Sequence, residues 1–460
     1  MLCSRCFSRL ARVFVSAVLS VVLVFGQEPK SADATQKILD RLDALEKQNQ
    51  ALLEEIKSLR HAIQAQQFPQ QGTLNDGQQK QENQEPTSDR LDLAERRIEE
   101  HEQSKVGTSQ RLPVWLTGMV LFDSNLINGT KNYFFQENHG AYTEGSPGGG
   151  ASLSQSIIGF KFQGPRVAGG GQVNGSISFD FSTRVGDQDV FRIRNGEITF
   201  DWRTRSLTVG QDKAIIAPLQ PTSFAHVGIP ALSGAGNLWL WRPQIKYEER
   251  LNLFANTQAV FQGAVLATDE TYIGYLPANT AFEAVRPAIQ ERIALRHKAN
   301  EQTNFSIGIG GHESESHIAG RSVPSRVISA DFLYKPFNWM ELSGTLLHGE
   351  NFANLGGLPT GVTVEGNRVI AIRGSAGWLQ LALPVTSRLT FDAYTGKQAN
   401  IARDLTPYQV ASTLTYAGNV LYRVGPNVML GFEGSHERIL YLNNIQILAN
   451  RYDATVAYLF

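Results

Sequence analysis

From Leu112 to Phe460 the chain repeats one pattern that few folds can use: short runs in which every second residue is apolar and the residues between are polar. In QVNGSISFDFS (172–182), Val173, Gly175, Ile177, Phe179 and Phe181 share one phase, and Asn174, Ser176, Ser178 and Asp180 share the other. In RLTFDAYTG (388–396), Leu389, Phe391 and Ala393 stand against Thr390, Asp392 and Tyr394. A period of two is a strand with one dry and one wet face. Similar runs fall near 114–122, 157–163, 195–202, 206–211, 243–249, 252–261, 291–297, 304–311, 326–334, 339–348, 367–383, 408–422, 428–435 and 450–460. Together they make about 16 strands, each near the ~9–11 residues that cross a bilayer at a tilt.

The links between strands alternate in length. KPFN (335–338), LPVTS (383–387) and VGPN (424–427) carry the Pro, Gly and Asn of tight turns, whereas 123–156, 212–242, 262–290, 349–366 and 436–449 are long. Aromatic residues sit beside the short turns: Tyr334, Phe337, Trp339, Trp378, Tyr422 and Tyr458. Short turns at one rim, long loops at the other and aromatic girdles are what a transmembrane barrel requires. A soluble sandwich or propeller shows no such asymmetry, and there is no repeat of ~40 residues. The expected fold is all-β: an antiparallel transmembrane β-barrel of about 16 strands over 112–460. Lipid cannot satisfy an open sheet edge, so the final strand, YDATVAYLF (452–460), must pair with the first. Its alternation and its aromatic Tyr458 and Phe460 resemble the signal read by barrel-assembly machinery, which with the lipid bilayer enters the expected partners.

Residues ahead of the barrel are of other kinds. Arg5, Arg9 and Arg12 precede a short apolar core (13–25) and the small Gly26, so 1–26 reads as a signal peptide with a mature start near Gln27. The two cysteines, Cys3 and Cys6, fall within it, so no disulfide is expected in the exported chain. Over 33–64, Ile38, Leu42, Leu45, Asn49, Leu52, Ile56, Leu59 and Ile63 form a heptad seam with Asn49 at an a position, the place where a polar residue fixes register. This α-helical coiled coil makes the protein an oligomer. A Gln-rich linker (65–88) and a short helix (89–106) follow. Net charge is −1 and charged residues are 18%, so no basic field points to nucleic acid.

The coil at 36–63, RIRNGEITFDW (192–202) followed by LTVGQDKA (207–214), RPQIKYEER (242–250) and the terminal YDATVAYLF resemble the trimeric outer-membrane porins, in particular the DcaP-like family and more distantly the phosphate-selective porins. The resemblance implies a homotrimer in the outer membrane that passes small hydrophilic solutes and is not an enzyme, with no cofactor. Ile at a with Leu at d would by itself favour two strands. The coil would stay in the periplasm, within reach of the cell wall.

In such a protein the chemistry is the lining of a pore. The link DKAIIAPLQPTSFAHVGIPALSGAGNLWLWR (212–242) is the expected constriction: Pro218, Pro221 and Pro230 stiffen it around His226, and Gly234 and Gly236 let it bend back. The competing reading is a surface loop or a subunit latch held by Trp239 and Trp241. Cations on wet faces, namely Lys213, Arg242, Lys246, Arg292 and Arg296, would favour small organic anions. Arg192 and Arg194 join that phase only if a bulge intervenes near Asn195; taken singly, each cation is better explained as a lumen residue paired with Asp180, Asp201, Glu248 or Asp392 than as a ligand-binding group. HESESH (312–317) places two histidines five apart, which does not fit a helical zinc motif, and no metal site is expected. The alternative function is a barrel-anchored structural or adhesive protein whose periplasmic coil tethers the envelope. About 350 barrel residues exceed what an anchor needs, which favours the channel.

Overall fold

The computed structural model describes residues 113–460 except 130–147, 186–187, 255, 268–281, 285–286, 300–301, 319–320, 359–360 and 367. The signal peptide, the coiled coil with Asn49, the linker and the short helix expected at 89–106 lie outside the described residues.

The strands, in chain order, are β1 (Val114–Gly129), β2 (Gly148–Ser152), β3 (Ile157–Val167), β4 (Gly171–Val185), β5 (Gln188–Asp201), β6 (Arg205–Lys213), β7 (Trp241–Phe254), β8 (Thr257–Leu266), β9 (Phe282–Ala284), β10 (Ala288–Ala299), β11 (Gln302–Ile318), β12 (Arg321–Phe337), β13 (Met340–Glu350), β14 (Val362–Glu365), β15 (Arg368–Ala371), β16 (Arg373–Pro384), β17 (Leu389–Asn400), β18 (Val410–Arg423), β19 (Val428–Tyr441) and β20 (Gln446–Leu459). Sixteen of them form the wall, each antiparallel to the next. Of the other four, β2 continues the line of β3 along β1, β9 pairs with the end of β11, and β14 and β15 form a separate hairpin.

The ring is closed by β20 pairing with β1, from Met119 opposite Leu459 to Gly129 opposite Ala449. One residue further, Phe460 and Gly118 exchange backbone hydrogen bonds of 2.9 and 3.1 Å. Gly118 has φ +150°, and a Cβ there would lie 2.2 Å from the Ile157 carbonyl oxygen, so the seam needs a glycine at this point.

Alternation runs inside out compared with a soluble sheet. On β20, Arg451, Asp453, Thr455 and Ala457 are buried within the ring, and Tyr452, Ala454, Val456 and Tyr458 are exposed on its outside. The same holds along β7, with Arg242 and Gln244 inward and Ile245 and Tyr247 outward. Only a lipid-facing wall makes such an exterior favourable. Tyr334, Phe337, Trp339, Tyr422 and Tyr458 are exposed at the turn-side rim, as a girdle requires. Toward the loop side the outer face turns polar at the row Glu313, Arg326, Glu350, where Arg326 pairs with both carboxylates at 3.4 and 3.5 Å. From Tyr334 back to Arg326 the strand covers about 26 Å, which a tilt of ~40° reduces to about 20 Å, near the height of an apolar barrel belt.

Two expectations are corrected. Trp378 belongs to no girdle: it is 4% exposed, faces the lumen in mid-strand and packs on Ala231, Leu232 and Ala235. The link expected at 436–449 is strand for most of its length, and β19 and β20 join through residues 442–445. Outside the bilayer the outer face need not be apolar, so the sequence there loses its alternation while the ladder continues.

The largest apolar clusters lie inside the ring. Residues 214–240 leave β6, fold into the barrel and re-enter the wall at β7. Ile215, Ile216 and Leu238 pack with Leu266, Val327, Leu347 and Phe352, and the second cluster seats the loop on Trp378, Tyr394 and Ala417 of β16, β17 and β18. Gly236 is set so tightly on β16 that a Cβ would meet the Gly377 carbonyl oxygen at 2.2 Å.

Candidate functional site

The 214–240 loop crosses the interior. At one side the Thr222 amide donates to Gln380 Oε1 of β16 (2.7 Å), and Ser223 donates to Glu433 of β19 (2.7 Å). At the other, Arg194 donates to the Val227 carbonyl and Arg192 to the Gly228 carbonyl, each at 2.8 Å, from β5. β5 and β16 are eight strands apart around the sixteen-strand ring, hence on opposite walls. Residues 222 to 227 span at most about 18 Å, so the side chains of Gln380, Arg192 and Arg194 supply the remaining reach.

Both edges of the Val227–Gly228 segment are held. Gln155 Oε1 accepts from the amides of Val227 (2.7 Å) and Gly228 (2.9 Å), and Gln155 Nε2 donates to the Ala225 carbonyl (2.9 Å). Gln155 reaches inward because the wall strand is broken over residues 153–156, between β2 and β3. Ser156 covers the gap: its hydroxyl accepts from the Leu121 amide (3.0 Å) and donates to the Leu121 carbonyl (3.4 Å). Gly228 lies so close to the wall that a Cβ would meet Ser182 Oγ at 2.0 Å. Gln155 was missed from sequence because LSQS reads as an ordinary loop; its one signal is that it stands two residues before the alternating run of β3.

Arg192 and Arg194 do point into the lumen together, and the reason is a register shift between β4 and β5. Ser178 pairs with Asn195 but Phe179 pairs with Ile193, which leaves Arg194 as the extra residue of a bulge. Both guanidinium groups grip Asp180, Arg192 at 2.7 and 3.0 Å and Arg194 at 2.7 Å, and both lie over the Trp241 ring at 5.3 and 4.7 Å. With their remaining contacts on loop carbonyls, these two arginines serve as loop clamps in this geometry.

The other cations divide. Arg292 is buried in a two-pronged pair with Asp331 (2.6 and 2.8 Å) and also donates to Gln262. Lys246 pairs with Asp212 at 3.0 Å, and Arg250, absent from the sequence expectation, pairs with Asp201. Lys213 donates to Gln220, and Arg242 donates to the Asn354 carbonyl from the next long loop (3.2 Å). Arg296 is half-buried on the inner face of β10, among the charges of Glu248, Arg250, Arg292 and Asp331. Around the root of the crossing loop stand Arg192, Arg194, Lys213, Arg242 and Lys246; Asp180 pairs with both arginines of β5, Asp212 pairs with Lys246, and Glu197 lies close to both Asp212 and Lys246.

The stretch of wall made by β19, β20 and β1 has the opposite sign. Glu433 accepts from Tyr394 (2.5 Å), Ser223 (2.7 Å) and Asn419 (3.3 Å), and Asp453 and Asp123 flank Arg451 at 2.6 and 3.4 Å. His226 lies 3.6 Å from Glu433; burial and the Arg451 charge push its pKa down to about 3, so it is neutral at pH 7. Pro221 and Pro230 are buried on the wall, whereas Pro218 is exposed. His312 and His317, five apart on β11, face opposite sides of the wall.

No protein-family model and no curated protein matches the sequence. Solved structures do match. The outer-membrane channel DcaP of Acinetobacter baumannii superposes with a TM-score of 0.62 at 18% identity, over 75% of this chain and 97% of that one. The chain has the DcaP-type porin fold. An anion-selective porin from Comamonas acidovorans follows with a TM-score of 0.50 and 15% identity, over 76% of this chain and 99% of that one. At these identities the porin fold is what is shared, and the lining residues have to be read from this chain itself.

Proposed function

We propose that the protein is an outer-membrane porin, a diffusion channel for small hydrophilic solutes that favours organic anions. The observation that carries this reading is the 214–240 loop drawn across a closed, lipid-facing barrel, with cationic side chains at its root and acidic ones along β19, β20 and β1. Such a loop narrows the lumen to a constriction whose lining sets selectivity. Pro218, Pro221, His226 and Pro230 belong to that constriction, and Lys213, Arg242, Lys246 and Arg296 supply the field an anion meets. Arg192, Arg194 and Arg292 act through the positions they hold rather than as anion ligands. An anion-selective porin of similar fold supports the direction of the preference.

The same reading makes the protein a homotrimer, delivered to the outer membrane by its signal peptide and assembled through its final strand, with Tyr458 and Phe460 as the feature the assembly machinery reads. The coil, registered by Asn49, would sit in the periplasm and touch the cell wall. Single-channel recording of the purified protein in a planar bilayer under a salt gradient tests the proposal. Openings in threes with an anion-biased reversal potential are expected. A folded barrel that conducts nothing overturns it.

A further inference from the structure

A second site lies on the lumen wall toward the turn-side rim. There a cavity of about 450 Å³ is bounded by β1, β3, β4 and β5, within the size range of small-molecule sites. Its residues come from two neighbouring rungs of the ladder. Trp115, Lys161, Ser176 and Glu197 stand in one row across four adjacent strands, and Gln163 and Asn174 begin the next. Ser176 is four residues from Asp180 on β4, which puts this row about 13 Å from the arginine clamp.

Three features set this wall apart. Register turns Trp115 inward: its partner Lys161 shares a face with Ser176, whereas the adjacent Leu116 and Phe160 are exposed outside. It is 50% exposed there, a large apolar face left open to a polar lumen. Lys161 and Glu197 form no ion pair with each other among the described residues; two strand spacings, about 10 Å, separate their backbones, with Ser176 between. Glu197 lines the cavity half-buried, with Oε2 shut off from solvent, so a solute would meet its other carboxylate oxygen. A flat aromatic face beside amides, a hydroxyl and a carboxylate acceptor matches a solute with an apolar ring face and a rim of hydroxyl groups. The opposite charges cancel, so a net-charged solute gains nothing over a neutral one.

The geometry points to a saccharide-binding site here, in which Trp115 stacks on the sugar ring while Glu197, Gln163, Asn174 and Ser176 bond its hydroxyls. It would retain neutral sugars on the turn side of the constriction. The site rests on none of the residues assigned to anion preference, so the two readings fail separately.

Calorimetric titration of the full-length protein in detergent with glucose, maltose, alanine and succinate tests it. Saturable binding of glucose or maltose is expected, weakened about tenfold or more by Trp115→Ala, the scale of a lost aromatic stacking face. Trp115→Phe should restore most of that loss, and Glu197→Gln should weaken binding while leaving the barrel resistant to unfolding on unheated gels. Absence of saturable heat with either sugar overturns the site, as does sugar binding that Trp115→Ala leaves unchanged. Tighter binding of alanine or succinate than of both sugars overturns the ligand class.

Discussion

Gln155→Leu removes one amide of nearly unchanged volume and tests whether the crossing loop is held from its outer edge. Gln155 is 1% exposed and makes three hydrogen bonds of 2.7 to 2.9 Å to Ala225, Val227 and Gly228. Each buried group left unpaired costs about 1–3 kcal/mol, but lumen water can reach part of this segment, so the docked loop should lose about 2–4 kcal/mol in total. That raises the undocked population roughly 30- to 1,000-fold. The wall itself keeps its ladder, since Ser156 and the β1 pairing are untouched. Single-channel records should show more flicker and open-channel noise, and limited proteolysis should cut within 222–230 faster than in the parent. Gln155→Glu keeps an acceptor for the two amides but loses the donor to Ala225, so an intermediate phenotype is expected. Current noise and cleavage rates that match the parent in Gln155→Leu would refute the clamp.

Three further outcomes follow from the lining. Lys213→Glu with Lys246→Glu should move the reversal potential toward cations, while Arg194→Gln should increase current noise more than it alters selectivity; equal shifts from both would contradict the division of roles. Arg292→Leu strands the buried Asp331 and should cost about 3–5 kcal/mol, read as a lower thermal unfolding temperature, with recovery in Arg292→Leu/Asp331→Leu. In the loop after β17, hydrogen bonds from Arg373 hold the Asp404 pKa below its ordinary 3.8. Its folded pKa is depressed, so its stabilisation is complete above the unfolded value and is lost as pH falls below about 3.8 through the folded pKa. Hydrogen exchange over 362–373 should therefore quicken below that pH in the parent and be fast at every pH in Asp404→Asn.

The strands were legible wherever the wall meets lipid, because the bilayer forces one face to be apolar. β20 and β4 show this in every second residue. Where strands rise beyond the bilayer, as in GSHERILY of β19, the outer face is free to be polar and the sequence reads as loop. The crossing loop was recognisable from its prolines and glycines, but its anchors were not, since they lie far away in sequence: Gln155 is 72 residues from Val227 and Gln380 is 158 from Thr222. The displaced phase of Arg192 and Arg194 pointed to the bulge, yet only packing shows that their charge is largely taken up by Asp180 and two carbonyls. Trp378 misled because an aromatic near a turn has the same composition whether it meets lipid headgroups or a loop folded inside.

That tryptophan gives the pore a thermal character. The middle of the crossing loop is fastened by two kinds of contact: arginines and a glutamine hold Val227 and Gly228 toward β5, and a dry pad of Ala231, Leu232 and Ala235 rests on Trp378 and Tyr394 of β16 and β17. Hydrophobic contact weakens on cooling and strengthens in sulfate, whereas partly exposed charged contacts weaken as ionic strength rises. Cold should therefore loosen the apolar pad and concentrated chloride the charged clamp, so a pore recorded only in molar salt at room temperature reports mainly on its greasy contact.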